Sequence, residues 1–127
     1  MNAFESNFEV QADSLKWRWL NQGWPDYLVW KEGKISFVEV KGPHDTLRPG
    51  QLRMLDILSY AGLEVSILPN GNIEQAITVD QYLSQNGLVR VVNGGVPQLT
   101  TFNKVLRSRD EDIIKIYPDN SWVRDHL

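Results

Sequence analysis

Residues 26–43 read DYLVWKEGKISFVEVKGP, and this stretch decides the fold. Two runs rich in β-branched and aromatic residues, 26–30 and 35–41, flank a short polar segment that contains Glu32-Gly33. The pattern predicts a β-hairpin, because these residue types favour strands and glycine accepts the positive φ of a tight turn. With Glu32-Gly33 at the tip, Asp26 lies directly opposite Glu39 across the two strands.

A helix and a buried strand are predicted after the hairpin. Gly42-Pro43 ends the second strand, and Pro49 suits the first turn of a helix over 49–61, whose leucines recur at every third residue before Gly62. The apolar run 63–68 then predicts a strand. Strand, helix and strand in this order favour a right-handed crossover between parallel strands, and therefore an α/β fold.

The sequence on either side of this core has weaker patterns. Apolar residues recur every four positions over 3–13 and predict an amphipathic helix, whereas 15–20 fits either a strand or an extension of that helix. Thr78 or Asp80 caps a short helix that ends at Gly87. Further elements are expected beyond it, namely a hairpin of 88–92 and 96–102 around Asn93-Gly94-Gly95, and a last strand over 113–117.

The composition excludes several kinds of chemistry. The 127 residues suffice for one domain, and the absence of cysteine excludes disulfides, thiolate metal sites and cysteine nucleophiles. The formal net charge of −3 argues against a uniformly basic surface for nucleic acid, but it allows a local basic groove. We expect a cytoplasmic protein without membrane contact, because no secretory signal and no apolar run of membrane-spanning length is present.

Two carboxylates and an ammonium group converge at one end of the predicted hairpin. Residues directly opposite each other have Cβ atoms about 4.5–5.5 Å apart, and like charges there destabilise the sheet unless a cation compensates. Lys41 points to the same face as Glu39, because side chains alternate along a strand. Asp26, Glu39 and the carbonyl of Val40 therefore suit Mg²⁺ or Mn²⁺, which also bind phosphate oxygens.

This donor set predicts hydrolysis of a phosphodiester. A bound divalent cation lowers the pKa of a water ligand and neutralises charge that develops on the phosphate. Lys41 either orients the attacking water or stabilises the transition state.

A family resemblance rests on three groups of residues. They are Gly23-Trp24-Pro25-Asp26, the run FVEVKGP at 37–43, and Asp45, Leu47 and Gln51 at the start of the following helix. In these residues the chain resembles the PD-(D/E)xK nuclease superfamily, and specifically its VRR-NUC branch, over roughly residues 4–68. Asp26 and Glu39 match the metal ligands of that family, Lys41 its catalytic lysine, and Gln51 a further active-site residue.

The resemblance also implies an architecture. A restriction-endonuclease-like core, with a central mixed β-sheet flanked by helices, is expected over 1–70, and a hairpin-containing extension over 71–127 completes the same domain. An acidic residue from the first helix usually completes such sites, and either Glu5 or Glu9 fits this role. The chain departs from the family in having Arg48 where a small hydroxyl residue caps the helix, and 10–25 leaves little room for the strand usually found there.

The function implied is that of a Mg²⁺- or Mn²⁺-dependent DNA endonuclease. Small members of the family resemble Holliday-junction resolvases and act as homodimers, which implies branched DNA as the substrate. Candidate phosphate contacts are Arg48, Arg53, His44, Lys104 and Arg107. Two alternatives stay open: a catalytically inactive binding or assembly module with an unknown protein partner, and a restriction-like or RNA-directed nuclease.

Overall fold

The computed structural model describes residues 2–21, 23, 25–44, 46–92 and 97–101. In chain order the elements are α1 (Ala3–Ser14), β1 (Arg18–Asn21), β2 (Tyr27–Lys31), β3 (Lys34–Lys41), α2 (Pro49–Tyr60), β4 (Glu64–Pro69), a 3-10 helix (Ile73–Gln75), β5 (Ile77–Thr78), α3 (Val79–Gln85), β6 (Leu88–Val91) and β7 (Gln98–Thr101). No helix within these ranges is long and apolar enough to cross a membrane.

The strands form a central sheet and a separate hairpin. The central sheet has the order β1-β2-β3-β4-β5, and β6 pairs with β7. Strands β3 and β4 are parallel and joined by α2, whereas the other pairs are antiparallel. This arrangement confirms the predicted α/β fold, a mixed sheet flanked by helices.

The β2–β3 hairpin has the predicted register. Lys31 pairs with Lys34 and Tyr27 with Val38, around a turn in which Glu32 (φ 49°) and Gly33 (φ 83°) adopt positive φ. Asp26 directly precedes β2, so the same register brings it level with Glu39.

Two apolar clusters hold the helices on opposite faces of the sheet. Phe8 and Ala12 of α1 pack against Tyr27, Val29 and Val38, all of them buried. The other cluster joins α2, α3 and the inward faces of the strands; its largest fully buried members are Leu52, Leu55, Ile67 and Leu99. The functional residues therefore lie at the end of a sheet that is fixed from both sides.

The expectation of little room for a strand before Asp26 is wrong. Helix α1 ends at Ser14, and Lys16 at φ 61° reverses the chain direction at once. This leaves room for β1, which pairs with β2 along its four residues. The ambiguous segment 15–20 therefore contributes a strand, and α1 does not extend through it.

In the C-terminal part, the described residues include the helix and the hairpin that the sequence predicts. Thr78 is the N-cap of α3, and its hydroxyl accepts the N–H of Gln81 at 3.0 Å. Strands β6 and β7 confirm the second hairpin, although its turn at 93–96 lies outside the described residues, as does the predicted strand at 113–117. The pattern did not indicate β5 or the 3-10 helix.

A buried ion pair attaches the β6–β7 hairpin to α2. Asp56 of α2 is 1% exposed, and Arg90 of β6 donates to its Oδ1 from both Nε and Nη2. Burial raises the pKa of Asp56, and the hydrogen bonds and charge of Arg90 oppose that rise. Arg90 also contacts the exposed Asp80 at 2.9 Å and lies over the ring of Tyr60. The pair therefore fixes the position of α2 relative to the β6–β7 hairpin.

Replacing Arg90 tests this attachment. Arg90→Leu leaves the Asp56 carboxylate buried and uncompensated, and we expect the free energy of unfolding to fall by about 3–5 kcal/mol. Asp80→Asn removes only the exposed contact and should cost less than about 1 kcal/mol. Urea titrations of both variants measure the difference, and equal losses would contradict a structural role for the buried pair.

Candidate active site

A cavity of about 290 Å³ lies at the C-terminal end of β3, beside the first turns of α1 and α2. Its lining consists mainly of polar and charged residues: Glu5, Asp26, Glu39, Val40, Lys41, Thr46, Leu47, Arg48 and Gln51. The structure therefore brings together side chains that are 46 positions apart in sequence, from Glu5 to Gln51.

Asp26 and Glu39 are held side by side by backbone N–H groups from the opposite strand. The N–H of Asp26 donates to Oε1 of Glu39 at 3.0 Å, and the N–H of Val40 donates to Oδ2 of Asp26 at 2.8 Å. Each carboxylate thus accepts a hydrogen bond that fixes its position without supplying a positive charge.

This pair carries uncompensated negative charge. Glu39 is 4% exposed; burial, and then the charge of Asp26, raise its pKa to about 7. Burial also raises the pKa of Asp26, with a further contribution from Glu5. Among the described residues, no lysine or arginine forms an ion pair with either carboxylate. The arrangement favours a cation between them.

The carbonyl of Val40 is suitably directed to be a third oxygen donor. In a strand, the N–H and C=O of one residue point to the same side, so this carbonyl points towards Asp26, as the N–H does. The β2–β3 pairing ends at Tyr27 and Val38, and Pro25, two residues before Tyr27, has no N–H to donate. The ladder therefore supplies no donor to this carbonyl from β2.

These donors fit a Mg²⁺ or Mn²⁺ ion. Such ions bind through one or two carboxylates and complete their coordination with water and substrate oxygens. Within the described ranges, no group of three or more Asp, Glu or His side chains lies close enough together to hold a metal ion. Asp26, Glu39 and the Val40 carbonyl therefore suit an open site better than an all-protein one.

Lys41 and Gln51 face the same cavity from different elements. Lys41 lines it without pairing to either carboxylate, so its ammonium is available to a ligand. Gln51 has a structural contact as well, since its Oε1 accepts the N–H of Arg48 at 2.9 Å. The side chain of Arg48 makes no cap hydrogen bond, as the departure from the family pattern implied, and it lines the cavity.

The two candidate glutamates of α1 have different roles. Glu5 lines the cavity, and its own N–H is capped by Asn2 at 2.8 Å. Glu9 instead accepts a hydrogen bond from the hydroxyl of Tyr27; burial, and then this hydrogen bond, raise the pKa of that tyrosine. The geometry therefore favours Glu5 as the acidic residue that α1 contributes.

The remaining predicted residues are placed less favourably or lie outside the described ranges. His44 is exposed and Arg53 is half-buried, and neither is among the cavity-lining residues. Lys104 and Arg107 are outside the described residues. Sequence reasoning missed Thr46, whose only signal was a hydroxyl residue three positions before the helix-initiating Pro49.

A larger cavity of about 580 Å³ lies between α3 and β6. Most of its lining is apolar, and its charged members, Arg90 and Asp80, already pair with each other. It holds no carboxylate pair of the kind found at β3, so the smaller polar cavity is the candidate active site.

The fold and this cavity are consistent with a nuclease-family protein, the class to which the family match points. More particularly, residues 7–69 match the family model for the VRR-NUC domain. The matched segment begins after Glu5, so the assignment of Glu5 rests on the cavity geometry.

A solved structure described as a VRR_NUC domain is similar to this chain. It is 26% identical in sequence, with a TM-score of 0.48, and the match covers 64% of this chain and 90% of that one. Comparison with curated proteins gives no match.

The charge on Glu39 can be tested by an isosteric change. A raised pKa means that folding costs free energy whenever Glu39 is ionised, and Gln can still accept the N–H of Asp26. We therefore expect Glu39→Gln to raise the free energy of unfolding by about 1–3 kcal/mol at pH 8 in EDTA. Thermal and urea unfolding measure this, with Glu32→Gln in the exposed turn as the control. A destabilised Glu39→Gln would refute the uncompensated charge.

Proposed function

We propose that the protein is an endonuclease that hydrolyses phosphodiester bonds in DNA with Mg²⁺ or Mn²⁺. The observation that supports this most directly is the convergence of Asp26, Glu39 and Lys41 in one polar cavity. Asp26, Glu39 and the Val40 carbonyl would hold the metal. When bound, it would supply an activated water and neutralise charge on the phosphate.

Lys41 acts on the reacting groups from the protein side. Its ammonium shares the cavity with the carboxylates but pairs with neither, so it can orient a water for attack or stabilise the charge that develops on the phosphoryl oxygens. Glu5 of α1 adds a further acceptor to the cavity lining. Its carboxylate would accept hydrogen bonds from water ligands of the metal.

The N-terminal end of α2 binds the substrate phosphate. Arg48 provides a cation at the edge of the cavity, and the amide nitrogen of Gln51 remains available as a donor because its oxygen is bonded to the backbone. The N-terminal end of the α2 helix dipole adds a favourable partial charge for an anion.

Branched DNA and a homodimer are the proposed substrate and assembly. Resolution of a junction requires two cuts related by symmetry, and the described part of each chain contains a single site of this kind. A second chain would supply the other cut, and it would enlarge the surface that contacts DNA.

Lys41→Ala tests catalysis. We expect metal-dependent cleavage to fall by at least about 100-fold, because a group that stabilises the transition state is lost. Wild type and variant are compared on a labelled four-way junction, a flap, a duplex and single strands, with Mg²⁺, Mn²⁺ or EDTA. Lys34→Ala, in the exposed end of the same hairpin, is the control.

The outcomes separate the alternatives. Cleavage that requires metal and Lys41 but not Lys34 supports the nuclease, and the preferred substrate tests the proposal of branched DNA. Failure of well-folded wild type to cleave any of the substrates would favour a binding or assembly module.

Glu5 and Glu9 offer a second comparison on one helix. Glu5→Gln should lower metal-dependent cleavage about 10- to 100-fold with little change in stability, since an additional acceptor for the metal and its waters is lost. Glu9→Gln should leave cleavage within about twofold and instead lower the melting temperature, because Glu9 accepts the hydroxyl of the buried Tyr27. The reverse pattern in gel-based rates and thermal melts would reassign the site to Glu9.

A further inference from the structure

The loop after β4 contacts the backbone of the lysine in the active site. Asn70 and Gly71 both have positive φ, at 55° and 73°, and fold the chain back on itself immediately after Pro69. In this conformation the N–H of Asn70 donates to the carbonyl of Lys41 at 2.6 Å. One end of the loop is therefore fixed to the end of β3.

Two amide side chains of α1 bind the other side of this loop. Asn7 donates from Nδ2 to the carbonyl of Asn70 at 3.0 Å and to Oδ1 of Asn72 at 2.7 Å. Gln11 donates to the carbonyl of Gly71 at 3.0 Å and accepts the N–H of Ile73 at 3.0 Å. Four hydrogen bonds thus join α1 to a segment about 60 positions away in sequence.

Gly71 is the point of closest approach between the loop and α1. It is buried, and a Cβ at this position would lie 2.0 Å from the carbonyl oxygen of Phe4 and 3.0 Å from its carbon. Both are backbone atoms, which cannot rotate away as a side chain does. Phe4 immediately precedes Glu5, so the loop packs directly on the turn that carries this carboxylate.

We propose that the loop Asn70–Asn72 is a positioning element that sets the distance between Glu5 on α1 and the Glu39–Lys41 end of β3. The inference rests on the proposed function, because it assigns a role relative to the metal site. Asn7, Gln11 and Gly71 act through Glu5 and touch no substrate.

Apolar packing alone does not set this distance. Phe8 and Ala12 bury α1 against the sheet, and contacts of that kind are not directional. The hydrogen bonds of Asn7 and Gln11 are directional, and they therefore fix the position of α1 along its own axis. A displacement of about 1 Å in a supporting element is enough to impair a metal or catalytic site.

We expect Gly71→Ala to displace the first turn of α1, and Gly87→Ala is its matched control. Both glycines have similar positive φ, 73° and 66°, so alanine meets the same backbone strain at each, but a Cβ at Gly87 has no atom within 4 Å. We expect Gly71→Ala to weaken Mn²⁺ binding at least tenfold relative to Gly87→Ala in calorimetric titrations. The Mn²⁺ concentration for half-maximal cleavage should rise by the same factor.

A double variant shows whether the effect passes through Glu5. In the Glu5→Gln background, Gly71→Ala should produce at most a twofold further change in Mn²⁺ affinity, since the group that it displaces no longer binds. Asn7→Ala, which leaves the backbone conformation unstrained, should weaken Mn²⁺ binding threefold or more. This variant provides the result if Gly71→Ala does not fold.

The controls distinguish the two proposals. If wild type binds Mn²⁺ and cleaves DNA while Gly71→Ala and Asn7→Ala match Gly87→Ala in Mn²⁺ affinity, the positioning role is overturned and the nuclease stands. An additive loss in the Glu5→Gln background would also overturn it, because the loop would then act independently of Glu5. If wild type neither binds Mn²⁺ nor cleaves any substrate, the nuclease proposal fails and the positioning role fails with it.

Discussion

Asp26 and Glu39 stay adjacent because each accepts a backbone N–H from the opposite strand, and the site is built around this exchange. The register of the β2–β3 hairpin makes it available: a slip of one residue would send the two carboxylates to opposite faces of the sheet. Pro25, immediately before Asp26, has no N–H that could donate to the nearby Val40 carbonyl. The two carboxylates are thus held close together by backbone hydrogen bonds, and no described lysine or arginine forms an ion pair with either of them.

Local patterns predicted the centre of the molecule well. The turn at Glu32-Gly33 set the hairpin register, and Pro49 with Gly62 marked the ends of α2 closely. Local sequence could not choose between Glu5 and Glu9, because they lie one turn apart on the same helix face. That choice depends on the hydroxyl of Tyr27, a partner 18 positions from Glu9. Loop 70–72 shows a turn pattern in the sequence, but nothing local indicates its contacts with α1.

Helix α2 contributes both to the candidate active site and to the stability of the fold. Its first turn carries Gln51, which holds the Arg48 backbone and faces the cavity, while Asp56 farther along is fixed by Arg90 of the second sheet. A helix that is fixed at its first turn and again at Asp56 presents its N-terminal donors in one orientation. Residues 48–56 therefore contribute to both the site and the fold. The position of a residue within this stretch does not show which of the two it serves.

The Arg90–Asp56 pair also limits how this protein can be recombined with others. The family match ends at residue 69, yet Leu88, Val91 and Leu99 beyond it complete the apolar cluster on α2. A chimaera joined at 69 would remove apolar cover from Leu52 and Leu55 and deprive Asp56 of its cation. The smallest portable unit is therefore longer than the family segment: a gene fusion that preserves the nuclease fold has to carry the chain at least through β7.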